Sequence, residues 1–246
     1  MATYFISDLH LGATYQSDTR SRERMVVDFL HSIRGKAERL FLVGDILDYW
    51  YEYRTVVPRG YVRFFGALAE LADAGTKITW FIGNHDIWLF DYLRDELGIE
   101  IVDGSLLTEI DGKCFYITHG DAIGTLRPGF KLIRGVFRNR FCQWLYAGIH
   151  PRWTVPFALR WSSHSRTTGC ESTFDFATDP MVDFARRTLV EHPDVNYFVF
   201  GHRHVVANQP LADGCQFVIL GDWLNNFTYG VFEGGNFVIE KYTSEG

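Results

Sequence analysis

No uninterrupted apolar stretch in this chain approaches the roughly 20 residues that a membrane-spanning helix needs. Cysteine is sparse and scattered: Cys114, Cys142, Cys170 and Cys215 form no CxxC pair. That excludes a zinc ribbon and a disulfide frame, and the expectation is of reduced, cytosolic thiols. Proline is also scarce, 7 in 246 residues, while 47% hydrophobic and 22% charged residues are ordinary globular proportions. Wholesale disorder is therefore excluded. The segment after Met1-Ala2-Thr3 already reads as a strand, leaving no room for a signal peptide, so a soluble, cytoplasmic protein is expected. We find no internal repeat and no low-complexity linker.

One further absence is local. Between Ala122 and Cys170 there is no Asp or Glu, yet that stretch holds Arg127, Lys131, Arg134, Arg138, Arg140, Arg152, Arg160 and Arg166. The remaining 16 basic residues stand against all 30 acidic ones. Interleaved with the bases are Phe130, Phe137, Phe141, Trp144, Tyr146, Trp153, Phe157 and Trp161. An acidic body with a basic, aromatic segment suits a partner that is anionic and partly apolar. For Phe137 and Phe141 core packing is the expectation, because Leu132, Ile133 and Val136 recur at similar helical spacing.

The rest of the chain alternates. Residues 3–7, 39–43 and 77–82 read as buried strands, and 21–33 and 61–74 as helices, with Gly75 as a stop signal. Strand, helix, strand, helix, strand implies a sheet with parallel strands and flanking helices, whose loops after the strand carboxyl ends carry the chemistry. Residues 106–110 and 114–118 read as a hairpin around Asp111-Gly112. A helix starts near Asp179-Pro180, and 196–200 is another apolar strand.

Five of these strand ends carry metal-binding side chains: Asp8 and His10, then Asp45, Asn84, His119, and finally His202 with His204. Taken singly, an Asp or His at a strand end more often caps a turn. Seven together make independent caps a poor account, because carboxylate, imidazole and amide donors are what a pair of first-row divalent cations takes.

The motifs stand as DLH (8–10), GD (44–45), GNHD (83–86), HGD (119–121) and GHRH (201–204). In kind and order they resemble the calcineurin-like metallophosphoesterase superfamily. The resemblance implies an α/β fold, a four-layer α-β-β-α sandwich, with residues 1–121 and 171–246 as its core and 122–170 as a helical cap insertion. It also implies two divalent metal ions. Asp8, His10, Asp45 and His204 would hold one, and Asp45, Asn84, His119 and His202 the other, with Asp45 bridging through both oxygens. Manganese is expected, and magnesium, iron or zinc would suit the same mixed donors. By the same resemblance His85 donates a hydrogen bond or proton near the leaving group, with Asp86 positioning it. A supporting hydrogen bond from His85 to Asn84 or Asp45 is the alternative. Asp48, Asp121, Asp222 and Arg203 stay unassigned.

In length and in the position of its insertion the chain resembles one branch of that superfamily, the UDP-2,3-diacylglucosamine pyrophosphatases of lipid A synthesis. It departs from the branch in reading GNHD where GNRD is usual. The resemblance implies a UDP-linked, diacylated sugar as substrate and Arg160, Ser163 and Arg166 as contacts to it. A solvated helix end is the alternative for those three. It further implies peripheral contact with the cytoplasmic face of the inner membrane, and no nucleic acid partner, since the acidic body would repel a long polyanion. A soluble phosphodiesterase or phosphatase acting on a nucleotide or another phosphoester is the competing function. Burial of the insertion's aromatics would favour that rival, and an open apolar groove leading to the metals the lipid.

Overall fold

A computed structural model describes residues 1–13, 18–124, 128–168 and 174–243. In chain order the elements are β1 (Ala2–Ile6), α1 (Thr19–Ile33), β2 (Ala37–Leu42), α2 (Val62–Asp73), β3 (Lys77–Phe81), α3 (Tyr92–Leu97), β4 (Glu100–Val102), β5 (Ser105–Ile110) and β6 (Lys113–Thr118). There follow α4 (Pro128–Arg138), α5 (Arg140–Ala147), α6 (Pro151–Thr168), α7 (Pro180–Glu191), β7 (Val195–Phe200), β8 (Val206–Ala212), β9 (Cys215–Leu220), β10 (Thr228–Glu233) and β11 (Asn236–Lys241).

Period-2 alternation along the strands builds the layers. Phe5, Phe41 and Phe81 of β1, β2 and β3 meet Phe115, Val199 and Val218 of β6, β7 and β9 in one buried cluster. The ring of Phe5 lies 5.1 Å from Phe41 beside it and 5.8 Å from Phe115 across the gap. A six-stranded sheet, β11-β10-β1-β2-β3-β4, thus packs face to face on a five-stranded one, β5-β6-β7-β9-β8. The alternate residues Ile6, Leu40, Leu42 and Trp80 turn outward onto Val26, Phe29 and Leu30 of α1 and Phe64 and Leu68 of α2. On the other side Phe198, Phe200 and Phe217 turn outward onto Met181, Val182 and Ala185 of α7. The result is α-β-β-α. Burial of each such side chain contributes roughly 1.5–3 kcal/mol.

Local chemistry sets the boundaries. Asp18 caps α1 by accepting the Ser21 N–H, and Asp179 caps α7 by accepting that of Met181, with Pro180 in the first turn. Asp111 and Gly112 both take positive φ (47° and 74°), the pair that a two-residue hairpin between β5 and β6 requires. The short α3 and β4 were not foreseen.

The helices α4, α5 and α6 lie on the loops that follow β2 and β3. Tyr49, Tyr51 and Trp88 pack against Phe137, Tyr146, Val155, Ala158 and Leu159. The Tyr51 hydroxyl donates to the Gln143 carbonyl at 2.6 Å, and the Trp88 indole N–H to the Phe137 carbonyl at 2.9 Å. Phe137 faces inward as expected, 5.2 Å from Trp88. Phe141 does not: it is 65% exposed and stacks on Trp144. Leu132 and Val136 are exposed as well. A single layer of helices covers one face only, and Phe137 takes it, with Ile133 half-buried one turn before; residues 132 and 136 sit about 100° away round the helix. Among the described residues no helix is long and apolar enough to cross a membrane.

Candidate metal centre

Strands β1, β2 and β3 run parallel in one sheet, and β6 and β7 in the other. Their carboxyl ends open at a common edge of the sandwich, where the sequence-derived residues converge. The chain must turn sharply there. Asp8, His10, Asp45, His202 and His204 all adopt positive φ, between 44° and 68°. L-residues reach that region at a cost, Asp and His more readily than most. Backbone bonds hold them: Asp8 N–H to the Gly44 carbonyl (3.1 Å), His10 N–H to that of Asp45 (3.0 Å), and His202 N–H to Asp8 Oδ2 (2.9 Å).

Three groups of donors result among the described residues, one of them His10, Asp48 and His85, and the expected ligands make up the other two. In one, Asp8 Oδ1 lies 3.6 Å from His10 Nε2 and 3.5 Å from His204 Nε2. In the other, Asp45, His119 and His202 bring one ligand atom each within 4.8 Å of the others. Asp45 Oδ2 stands between the groups, 3.8 Å from His10 Nε2 and 3.5 Å from His119 Nε2. Its other oxygen, Oδ1, accepts the His85 N–H at 2.8 Å. Oδ2 is thus within 3.8 Å of an imidazole of each group.

The imidazoles are held from behind. His119 Nδ1 faces the Val43 carbonyl at 2.9 Å, His204 Nδ1 the Asp222 carboxylate at 3.0 Å, and His10 Nδ1 that of Asp48 at 3.5 Å. Such bonds fix the ring and leave Nε2 for a cation. Asp222 Oδ1 in turn takes the N–H groups of Leu224, Asn225 and Asn226. Asp48 gave no signal in the sequence beyond its nearness to the GD motif, whereas Asp222 stands in a Gly-Asp pair that ends the buried run of β9.

The residues fit cations on their own evidence. Among the described residues, Asp8 Oδ1, Asn84 Oδ1 and His119 Nε2 are buried without a hydrogen-bond partner. Such a group costs roughly 1–3 kcal/mol unless something else satisfies it. All three belong to the expected ligand set. Burial pushes the Asp8 carboxyl up, with His204 and His119 pulling against it. Asp45 stays well below the usual carboxylate range: burial would raise it, but His119, His85 and His10 outweigh that. Burial likewise opposes a charged His119, yet Asp45 and Asp8 hold its pKa at about 10. His202 falls to about 3, through burial first and the neighbouring His119 second. The cluster is an anion-rich pocket that retains a proton where a metal would displace it.

Asp86, expected to position His85, is fully buried. Its carboxylate accepts the N–H groups of Gly83 (2.8 Å), Ile46 (2.9 Å) and Asp45 (3.3 Å) and the Trp80 indole (3.1 Å), clamping the GD and GNHD loops together. Burial and the charge of Asp45 raise it to about 6 against those donors. The His85 ring sits 4.9 Å from that of His10, edge to face. Its Nδ1 meets the Asp48 carbonyl at 3.2 Å and Ser162 Oγ of α6 at 3.1 Å.

Of the expected substrate contacts, Arg160 is exposed on α6, while the side chains of Ser163 and Arg166 lie outside the described residues. Arg134 pairs with Asp121 at 2.5 Å and Arg203 with Asp179 at 2.7 Å, tying α4 and α7 to loops around the centre.

Residues 1–206 match the calcineurin-like phosphoesterase family. A UDP-2,3-diacylglucosamine hydrolase of Porphyromonas gingivalis is 39% identical over 97% of this chain and 96% of its own. One from Shewanella baltica is 27% identical over 91% of this chain and 90% of its own. A dimetal phosphatase of Danio rerio superposes with a TM-score of 0.51 over 98% of this chain and 95% of its own, at 14% identity, a likeness of fold alone.

Proposed function

The chain belongs to the calcineurin-like phosphoesterase family, and from that premise we propose that it hydrolyses UDP-2,3-diacylglucosamine to UMP and 2,3-diacylglucosamine 1-phosphate. The observation that carries the substrate is the likeness to the Porphyromonas gingivalis hydrolase over nearly the whole chain, insertion included. Water adds across the diphosphate: its oxygen goes to the uridylyl phosphorus, and the sugar 1-phosphate departs.

Asp8, His10, Asp45 and His204 would hold one divalent cation, and Asp45, Asn84, His119 and His202 the second. Cations bound there would supply polarisation of the phosphate oxygens and a more acidic water. Asn84 ligates without adding charge, which keeps the site receptive to a dianion. His85 holds a proton toward the departing oxygen. Manganese is the ion we assign, in keeping with oxygen and nitrogen donors and no thiolate.

The insertion supports an acylated, anionic substrate. Trp50, Trp80, Trp88 and Trp223 of the body are buried, whereas Trp144, Trp153 and Trp161 of the insertion are exposed by half or more. Nine of the seventeen large apolar side chains exposed among the described residues lie on α4, α5, α6 and their connections. A polar nucleotide has no use for such a face; a lipid and the membrane carrying it do. A cavity of about 310 Å³ also lies between Gln143 and Arg138 of the insertion and Ile82, Leu89 and Ile101 of the body. Ile82 immediately precedes the GNHD loop. We place the protein at the cytoplasmic face of the inner membrane, the insertion resting on it.

The test is hydrolysis of UDP-2,3-diacylglucosamine beside bis-p-nitrophenyl phosphate and cyclic AMP, with manganese and with chelator. Manganese-dependent UMP release far above the other two is expected. Turnover of the artificial diester alone would discard the lipid and keep the centre.

A further inference from the structure

By resemblance Asp86 is the residue expected to orient His85, and in the structure further groups meet the His85 ring. Around His85 Nδ1 stand three oxygens: the Asp48 carbonyl at 3.2 Å, Ser162 Oγ at 3.1 Å and Asp48 Oδ1 at 3.5 Å. A carbonyl oxygen can only accept, so Nδ1 must carry hydrogen. The Ser162 hydroxyl donates to Asp48 Oδ2 at 2.9 Å. Its own hydrogen thus being committed, the hydroxyl oxygen turns lone pairs toward the same Nδ1–H. Three acceptors about one nitrogen select a single tautomer, in which Nε2 is the atom left to take up or deliver a proton.

Ser162 is only 7% exposed although it lies in the most polar stretch of α6. It shares a face with Val155, Ala158 and Leu159, which pack on Tyr49, Tyr51 and Trp88. The hydroxyl therefore enters the centre because α6 is docked, and it is the insertion, rather than the sandwich, that supplies it. We propose that Ser162 is a positioning residue, borne by the insertion, which acts with Asp48 to fix the His85 ring with Nε2 toward the departing oxygen. The proposal rests on the phosphoesterase reading of the centre and adds to it a dependence of the chemistry on the docked insertion.

The experiment is a double-mutant cycle on manganese-loaded protein with Ser162→Ala, His85→Ala and the pair together. The substrates are UDP-2,3-diacylglucosamine and the phenyl ester of UMP, whose phenolate leaves poorly. Ser162→Ala should lower kcat about tenfold on the phenyl ester with KM within about twofold, a fraction of what a general acid supplies. Added to His85→Ala, it should cost nothing further. Ser162→Cys, close in size but a weak donor, should repeat the loss seen with alanine. Three results would overturn the proposal. One is a raised KM at unchanged kcat, which makes Ser162 a substrate contact. Another is an undiminished loss in the His85→Ala background, which makes it a docking residue only. The third is wild-type turnover by Ser162→Cys, which leaves side-chain volume as its whole contribution. Wild-type protein that cleaves the phenyl ester and spares the lipid would sink the substrate reading while leaving the cycle to be read on the ester. Inactivity toward both would overturn the two together.

Discussion

Replacing Gly83 with Ala tests how closely the two metal-ligand loops must approach. A Cβ built on Gly83 falls 2.2 Å from Asp45 Oδ1 and 2.4 Å from the Asp45 backbone nitrogen, where ordinary contact is 3.4–4 Å. The gap has to open by more than about 1 Å. A rotamer change cannot supply it, because one of the struck atoms is backbone and Oδ1 is held by the His85 N–H. Asp86 resists any separation, since one carboxylate takes the N–H groups of Gly83, Asp45 and Ile46 together. Displacing Asp45 by that much moves Oδ2 away from both His10 and His119. Metal ligands tolerate about 0.2 Å, and a misplacement near 1 Å can cost about 100-fold in rate. We therefore expect kcat/KM on bis-p-nitrophenyl phosphate with saturating manganese to fall about 100-fold or more. The melting temperature should drop as well, overpacking costing roughly 1–3 kcal/mol. Gly66→Ala is the control of opposite sign. It is an exposed position inside α2 with nothing within 4 Å of the added carbon. There alanine should stabilise by about 0.5–1 kcal/mol and leave activity alone. Gly83→Ala with a wild-type melting temperature and activity within about threefold would refute the claim that the loops have no room to part.

Two further outcomes follow from charge and exposure. His119 holds its proton to about pH 10 in the metal-free chain, so a cation that takes Nε2 must displace it. Raising the pH does part of that work, and manganese affinity should climb by up to about tenfold, or 1.4 kcal/mol, per pH unit below that value. Calorimetric titrations at pH 7 and 8 in buffers of different ionisation enthalpy should show proton release; a pH-independent affinity with none released contradicts it. Trp144→Glu with Trp153→Glu should abolish sedimentation with anionic vesicles yet keep turnover of bis-p-nitrophenyl phosphate, as both side chains point to solvent. Undiminished vesicle binding would remove the insertion's aromatic face from membrane contact.

The sandwich and the converging loops were legible in the sequence because the signals there are short-range. A buried run ending in Gly-Asp or Gly-His carries its meaning within half a dozen residues, and the Asp111-Gly112 turn within two. What escaped notice depends on distance. Asp86 stands beside His85 in the chain, yet its carboxylate bonds to the GD loop, 40 residues away. Asp48 lies next to no histidine in sequence and meets both His10 and His85 in space. In α4 the helical period is legible but its phase is not: Leu132 and Val136 are exposed, and Phe137 packs on Trp88. Ser162 was hidden by its neighbours: the polarity of the stretch from Arg160 to Arg166 suggested a solvated end, while the spacing of Val155, Ala158, Leu159 and Ser162 is that of one buried face.

The strand-end residues are constrained twice over, which is why so short a pattern is so informative. Asp8, His10, Asp45, His202 and His204 each occupy the left-handed region, at a cost on the order of 1–3 kcal/mol apiece. Together that strain is comparable to the whole net stability of a domain, about 5–15 kcal/mol. It persists only where the surroundings leave no other conformation open. The aromatic layer between the sheets fixes where each strand ends, and the Asp86 clamp fixes the spacing between two of the loops. Five buried carboxylates, Asp8, Asp45, Asp48, Asp86 and Asp222, crowd the same edge, so the strained loops also carry concentrated negative charge. Asp, Asn and His are the side chains that tolerate positive φ best apart from Gly, and they are also the oxygen and nitrogen donors that hard and borderline cations accept. A loop tight enough to aim two ligands inward from one strand end thus favours the residue types that can ligate, and the backbone requirement and the metal requirement select the same amino acids.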